Sequence, residues 1–136
     1  MATPMPTTGK LQSNTREKSV DKKIYRSMMG NLLFLTATRP DIAFSVGCCA
    51  RFQAEPKDSH LKAVKRIIRY VNGTLYYGLS YSKDTNNSLV AYSYADWAGC
   101  VEDRKSTSGG CFYVGQNLVD WHNKKQNSRS LSTCEA

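Results

Sequence analysis

At 136 residues, with 40% hydrophobic content and a formal charge of +8, the chain has room for one ordinary domain or two partial ones, which excludes a large multidomain machine. No apolar run approaches the roughly 20 residues of a membrane span, so no membrane partner is expected. The 5 cysteines, Cys48, Cys49, Cys100, Cys111 and Cys134, are odd in number and lack C-x-x-C spacing, which points to reduced thiols rather than a disulfide framework or a zinc site.

Residues 1–22 are rich in Thr, Pro, Ser and Lys and poor in apolar side chains, which predicts a flexible arm. Their opening stretch, MATPMPTTGKLQ, lacks the apolar centre of a secretory signal, so the expected location is intracellular, in cytoplasm or nucleus. Ile24, Met28, Leu32 and Leu35 then recur at helical spacing and predict an amphipathic helix that tolerates Gly30 and is interrupted at Pro40. DIAFSVGCCARF resumes the helical pattern, with Asp41 suited to the first turn and Pro56 beyond the end.

A third helix is predicted over DSHLKAVKRIIRYVNG, with Asp58 or Ser59 as N-cap and Asn72-Gly73 as the stop. Leu61, Val64, Ile68 and Val71 form its apolar stripe, and Lys62, Lys65, Arg66 and Arg69 gather on another face. Divided after Asn72, the chain has 13 Lys+Arg against 5 Asp+Glu before the cut and 6 against 6 after it. The whole excess lies in the helical part. A basic face attracts phosphates whatever their sequence, so weak, nonspecific nucleic-acid binding through Lys62, Lys65, Arg66 and Arg69 is expected. A solvated face is the competing reading of the same four residues.

After Gly73 the period changes to two. LYYGLSYS, SLVAYSYA, GGCFYVG and NLVDWHN predict about four short antiparallel strands, parted by turn residues such as KDTNN and GQN. Trp97 and Trp121 read either as core anchors of this sheet or as rings on which bases stack. SRSLSTCEA reads as the start of a helix, with Ser132 or Thr133 near its N-cap and Glu135 in its first turn. His60 and His122 lie on different elements with no nucleophile-elbow pattern, and DRKSTSGG lacks the ordered phosphate-loop motif and reads as a hairpin turn.

Taken together, YRSMMGNLLFLTATRPDIAFSV, the basic helix ending KRIIRYVNGTLYYGL, YADWAGCVEDRKSTSGG, WHNKKQ and LSTCEA resemble the polyprotein of copia-type retrotransposons. The resemblance runs from about Tyr25 onward. It implies thumb-like reverse transcriptase helices over residues 23–73 and a truncated ribonuclease H-like segment over 74–136. It also implies that the polymerase palm lies upstream of residue 1.

The family's nuclease holds two Mg²⁺ ions about 4 Å apart on carboxylates that converge from several elements. The first of these carboxylates lies in a pattern resembling Tyr-Ser-Asp-Ala-Asp-Trp, where this chain reads Tyr92-Ser93-Tyr94-Ala95-Asp96-Trp97. Tyr94 therefore stands at the matching position, and a neutral phenol does not replace a carboxylate on a metal. The second family acid matches Glu135, and the third and fourth are expected downstream of residue 136. Asp96, two residues on, shares the strand face of Tyr94 and is weighed as a substitute ligand against a structural carboxylate near the strand end.

The expected fold class is α+β, with N-terminal thumb-like helices followed by an incomplete antiparallel ribonuclease H-like sheet. The expected function is that of a non-catalytic remnant with no cofactor of its own, although the family would use Mg²⁺. Two alternatives stand beside it. Short copia-like proteins are catalogued among secreted RxLR-type effectors of oomycete plant pathogens, which implies delivery to a host cell and a host protein partner. RSLS at 129–132 and RIIR at 66–69 both miss the Arg-x-Leu-Arg pattern. The other alternative is a ribonuclease H-like nuclease if the chain is extended downstream.

Overall fold

The computed structural model describes residues 3–6, 11–13 and 16–135, which fall into two compact units, Met1–Gly78 and Leu79–Ala136. Helices come first and strands second, so the architecture is α+β as expected.

Helix α1 spans Lys22–Leu35 and starts where the Asp21 carboxylate accepts from the backbone N–H groups of Lys23 and Ile24, at 2.7 and 3.1 Å. This carboxylate satisfies two of the donors that every helix leaves unpaired at its start. Helix α2, Pro40–Ala50, opens with proline at a position where the missing N–H costs nothing. Helix α3, Asp58–Gly73, is entered through Lys57, whose N–H donates to His60 Nδ1 at 3.0 Å. The N-cap is thus one residue before Asp58 and two before Ser59, the two expected caps.

The three helices bury Tyr25, Met29 and Leu32 of α1, Ile42, Val46 and Cys49 of α2, and Val64, Ile67 and Tyr70 of α3 against one another. In the two expected stripes Leu32 and Val64 are buried and Met28, Leu35 and Val71 pack against the core, but one position in each stripe is displaced. Ile24 is exposed while Tyr25 is fully buried, and Ile68 is exposed while Ile67 is buried. One residue is a rotation of about 100° around a helix, enough to move a side chain from core to solvent. The faces are set by side chains with a polar end that finds a partner: Tyr25 Oη donates to the Cys49 carbonyl at 2.8 Å, and the fully buried His60 stacks on Phe52.

Composition led to a flexible arm over residues 1–22, but its described residues carry specific bonds. Ser19 forms an antiparallel bridge with Lys57, flanked by Val20 N–H to the Pro56 carbonyl and Asp58 N–H to the Lys18 carbonyl. Glu17 accepts from the Ser59 N–H at 2.9 Å, and the Gln12 carbonyl lies 2.9 Å from His60 Nε2. Since Nδ1 of that ring accepts from Lys57, Nε2 is the nitrogen that donates to Gln12.

In the second unit, β1 (Leu89–Ala95), β2 (Thr107–Val114) and β3 (Asn117–Lys125) form an antiparallel sheet in the order β1-β2-β3. Tyr92 pairs with Cys111, which pairs with Trp121, and a bulge falls between Phe112 and Tyr113. Gly115, at φ +58, makes the tight turn into β3, and a Cβ there would lie 2.0 Å from Thr85 Oγ1. The expected strand over 75–82 is not formed. Leu75, Tyr76 and Tyr77 are exposed, and Ser82 exchanges two hydrogen bonds with the Asn117 side chain. Alternation without a neighbouring strand to pair with does not make a strand. Trp97 stands half-exposed in the β1–β2 loop, so it is not a core anchor of the sheet; Trp121 on β3 is half-buried.

Candidate functional site: a basic helix face and the surroundings of Tyr94

The capped start of α3 and its buried side fix which way the basic residues point. With Val64, Ile67 and Tyr70 facing the core, Lys62, Arg66 and Arg69 emerge together and line one open groove of about 300 Å³. The opposite wall of this groove is Met5, Pro6 and Leu11 of the N-terminal segment. Lys62 pairs with Asp58 at 2.8 Å, one helical turn back, which holds the Asp58 carboxyl below its ordinary range. Arg66 donates through Nε and Nη2 to the carbonyl and Oγ1 of Thr3, at 3.2 and 3.0 Å. Lys65 and Arg69 are exposed. Of the four predicted residues the structure therefore gathers three on one groove and leaves Lys65 on open surface.

Tyr94 pairs with Gly109, and its ring lies so flat across that glycine that a Cβ at 109 would come within 2.4 Å of it. The Asp96 carboxylate accepts from the Thr107 N–H, while Asp96 N–H donates to the Thr107 carbonyl at 3.0 Å. The same carboxylate fills the space where Gly99 has no side chain. Asp96 thus closes the loop between β1 and β2. Glu135 turns back on its own segment: Oε2 accepts from the Leu131 N–H at 2.8 Å and the carbonyl accepts from Ser130 Oγ at 3.1 Å. The segment forms turns rather than the helix start expected from SRSLSTCEA.

A thread of hydrogen bonds does bring this C-terminal turn to the end of the sheet that carries Tyr94. Gln126 donates to Ser108, the partner of Ala95, and accepts from Ser130. Among the described residues no group of three His, Cys, Asp or Glu side chains is placed to hold an ion. The donor set of a phenol and two carboxylates already bonded to backbone N–H groups does not fit the Mg²⁺ pair of the resemblance.

Sequence reading missed the cluster at the other end of α3. Arg39, nearly buried, grips Asp41 with Nε and Nη2 at 2.9 and 2.8 Å and donates to the carbonyl and Oγ1 of Thr74 at 3.1 and 2.7 Å. Tyr70 Oη donates to the same Asp41 carboxylate at 2.9 Å. The hydrogen bond from Arg39 holds the Asp41 carboxyl below its ordinary range, against burial that pushes it up. The signal was the run Arg39-Pro40-Asp41: an arginine just outside a proline-initiated helix, with an acid in the first turn.

The sequence is similar to parts of known proteins. Over all 136 residues the chain is 40% identical to the retrovirus-related Pol polyprotein from transposon RE2 of Arabidopsis thaliana, of which it spans 9%. Over 112 residues it is 43% identical to the secreted RxLR effector protein 161 of Plasmopara viticola, covering 82% of this chain and 79% of that protein. The chain belongs to the copia-type retrotransposon polyprotein family. An uncharacterized mitochondrial protein of Arabidopsis thaliana is a further relative, 38% identical over 136 residues and matched over 56% of its length. No family model matches this copia-type chain, and no solved structure matches it.

Proposed function

We propose that this copia-type fragment is non-catalytic, acts inside the cell, and binds nucleic acid weakly and without sequence preference through the basic face of α3. The observation that carries the reading is the convergence of Lys62, Arg66 and Arg69 on one groove, in the half of the chain that holds the entire positive excess. Each phosphate neutralised releases counterions, so such binding weakens steeply with salt. Fluorescence anisotropy with labelled RNA·DNA hybrid and duplex DNA across a salt series tests it. The expected slope of log K against log salt is about −3, with loss of binding when Lys62, Lys65, Arg66 and Arg69 are all changed to Ala. No binding by the wild type at low salt overturns the reading.

The non-catalytic part has its own test. Tyr94→Asp returns a carboxylate to the matched position, yet Asp96 and Glu135 remain engaged with Thr107 and Leu131. The variant is expected to leave an RNA·DNA hybrid uncut in Mg²⁺, as is the wild type. Mg²⁺-dependent cleavage abolished by Glu135→Ala would show that the site assembles.

A second reading, a protein acting on a host protein after delivery into a host cell, draws on the likeness to the Plasmopara viticola effector. A wild type that ignores nucleic acid at low salt and copurifies with one defined host protein would favour it.

A further inference from the structure

The groove beside α3 has two unlike walls. On the helix side, Lys62, Arg66 and Arg69 occupy positions i, i+4 and i+7, which places them along about 10 Å of helix axis. From the N-terminal segment come the apolar Met5, Pro6 and Leu11, and Ser59 and Ala63 of α3 complete the lining. The cations are only partly spent. Arg66 uses Nε and Nη2 on Thr3, which pins the N-terminal segment and leaves Nη1 without a bond among the described residues. Arg69 makes no hydrogen bond or ion pair among the described residues.

A purely electrostatic phosphate contact has no use for the apolar wall. A duplex keeps its bases stacked inside and offers only its backbone, so it touches the cationic rim and leaves the wall exposed. An unpaired strand can turn a base outward. The volume of about 300 Å³ is at the small end of ligand sites, suited to one nucleoside-sized body and too small for a base pair with its backbones.

We propose that this groove is a single-strand site, in which phosphates of an unpaired RNA or DNA strand lie on Lys62, Arg66 and Arg69 while one base packs against Met5, Pro6 and Leu11. The proposal rests on the nucleic-acid reading of α3 and adds a preference that the basic face alone does not supply. It also gives the N-terminal segment a role, since Thr3 holds Met5 and Pro6 in place to form the wall.

The test uses the full chain, an oligothymidylate of about twelve nucleotides and a duplex of equal length, compared by anisotropy at about 50 mM salt. The single strand is expected to bind about fivefold tighter than the duplex. Met5→Ala strips the wall and Ala63→Leu narrows the groove, and neither changes charge. Both are expected to bring the ratio of the two affinities close to one with duplex binding unchanged. Ala63 also touches the core, so Met5→Ala, on the surface segment, decides the matter if Ala63→Leu fails to fold.

Equal wild-type affinity for strand and duplex, or a ratio unmoved by Met5→Ala, overturns the groove and leaves the basic face standing. A polyglutamate peptide that competes as well as the oligonucleotide at equal charge overturns it too, because charge alone would then be read. Failure to bind either nucleic acid overturns both proposals together.

Discussion

In Met1–Gly78, nine apolar side chains from three helices are buried against one another, whereas in Leu79–Ala136 the only buried apolar residue among the described ones is Ala98. Every residue of β1 is exposed. The buried groups of the second unit are instead polar: Ser106 Oγ accepts from the Ala98 N–H at 3.1 Å, and Thr107 is held by Asp96. The helical unit is thus stabilised by burial of side chains. The strand unit is held by its ladder and by loop hydrogen bonds, whose net contribution per bond is small. The same contrast places the candidate interface: a rigid core orients the basic face of α3, and nothing comparable stiffens the surroundings of Tyr94.

The largest expected effect breaks that core. Ile67→Ala should cost about 4 kcal/mol of the helical unit's stability, because a fully buried side chain leaves a cavity that close-packed helices fill poorly. Leu89→Ala on the exposed β1 should stay within about 0.5 kcal/mol. Urea unfolding followed by far-UV circular dichroism compares the two. Equal costs would mean that β1 is covered in solution, and the contrast between the units would fall.

Next in size is the cluster at the C-terminal end of α3. Arg39→Ala should cost about 2 kcal/mol, since it removes the hydrogen bonds of a nearly buried guanidinium and leaves the Thr74 carbonyl without its Arg39 donor, while the part-exposed Asp41 keeps Tyr70. Its pH dependence has a definite sign. The folded Asp41 carboxyl releases its proton more readily than the ordinary value of 3.8, so in acid the unfolded chain binds more protons than the folded one. The contribution is complete above that ordinary value and is lost as pH falls through the depressed folded one. Asp41→Asn should flatten this acid limb in a series of thermal melts. An unchanged limb would assign the acid sensitivity to other carboxylates.

Much of this architecture was legible in the sequence, and the misses have physical causes. Helices α1 to α3 followed from apolar spacing and from stops at Pro40 and Gly73, because caps and breakers act locally. Counting aliphatic side chains found Leu32 and Val64 but put Ile24 and Ile68 inward in place of Tyr25 and Ile67. Tyr25, His60 and Tyr70 bury large surfaces once their polar atoms find Cys49, Gln12 and Asp41, and these partners are remote in sequence. The failed strand at 75–82 shows the same limit from the other side, since strand formation needs a neighbour that no local pattern supplies. At the candidate site, the basic residues were legible as charges at helical spacing. The wall opposite them was not, because Met5, Pro6 and Leu11 reach it only through Thr3 and Gln12.

The smallest perturbation sharpens the comparison without altering the fold. Cys49 is buried in the helical core, and loss of hydration, helped by neighbouring Cys48, pushes its thiol up to about 12. Cys111 sits half-buried in β2, and Cys134 is exposed. Alkylation requires the thiolate and access to it, so at neutral pH Cys134 should react first and Cys49 only when the helical unit opens. Adding urea in steps below the main transition should then expose Cys111 before Cys49, as read by mass spectrometry of peptides after brief labelling. That order would show the strand unit opening on its own at a lower free energy than the helices, as expected of a ladder with little apolar burial. Simultaneous labelling of Cys111 and Cys49 would mean that the two units unfold as one, and that the exposed sheet draws its stability from the helical core.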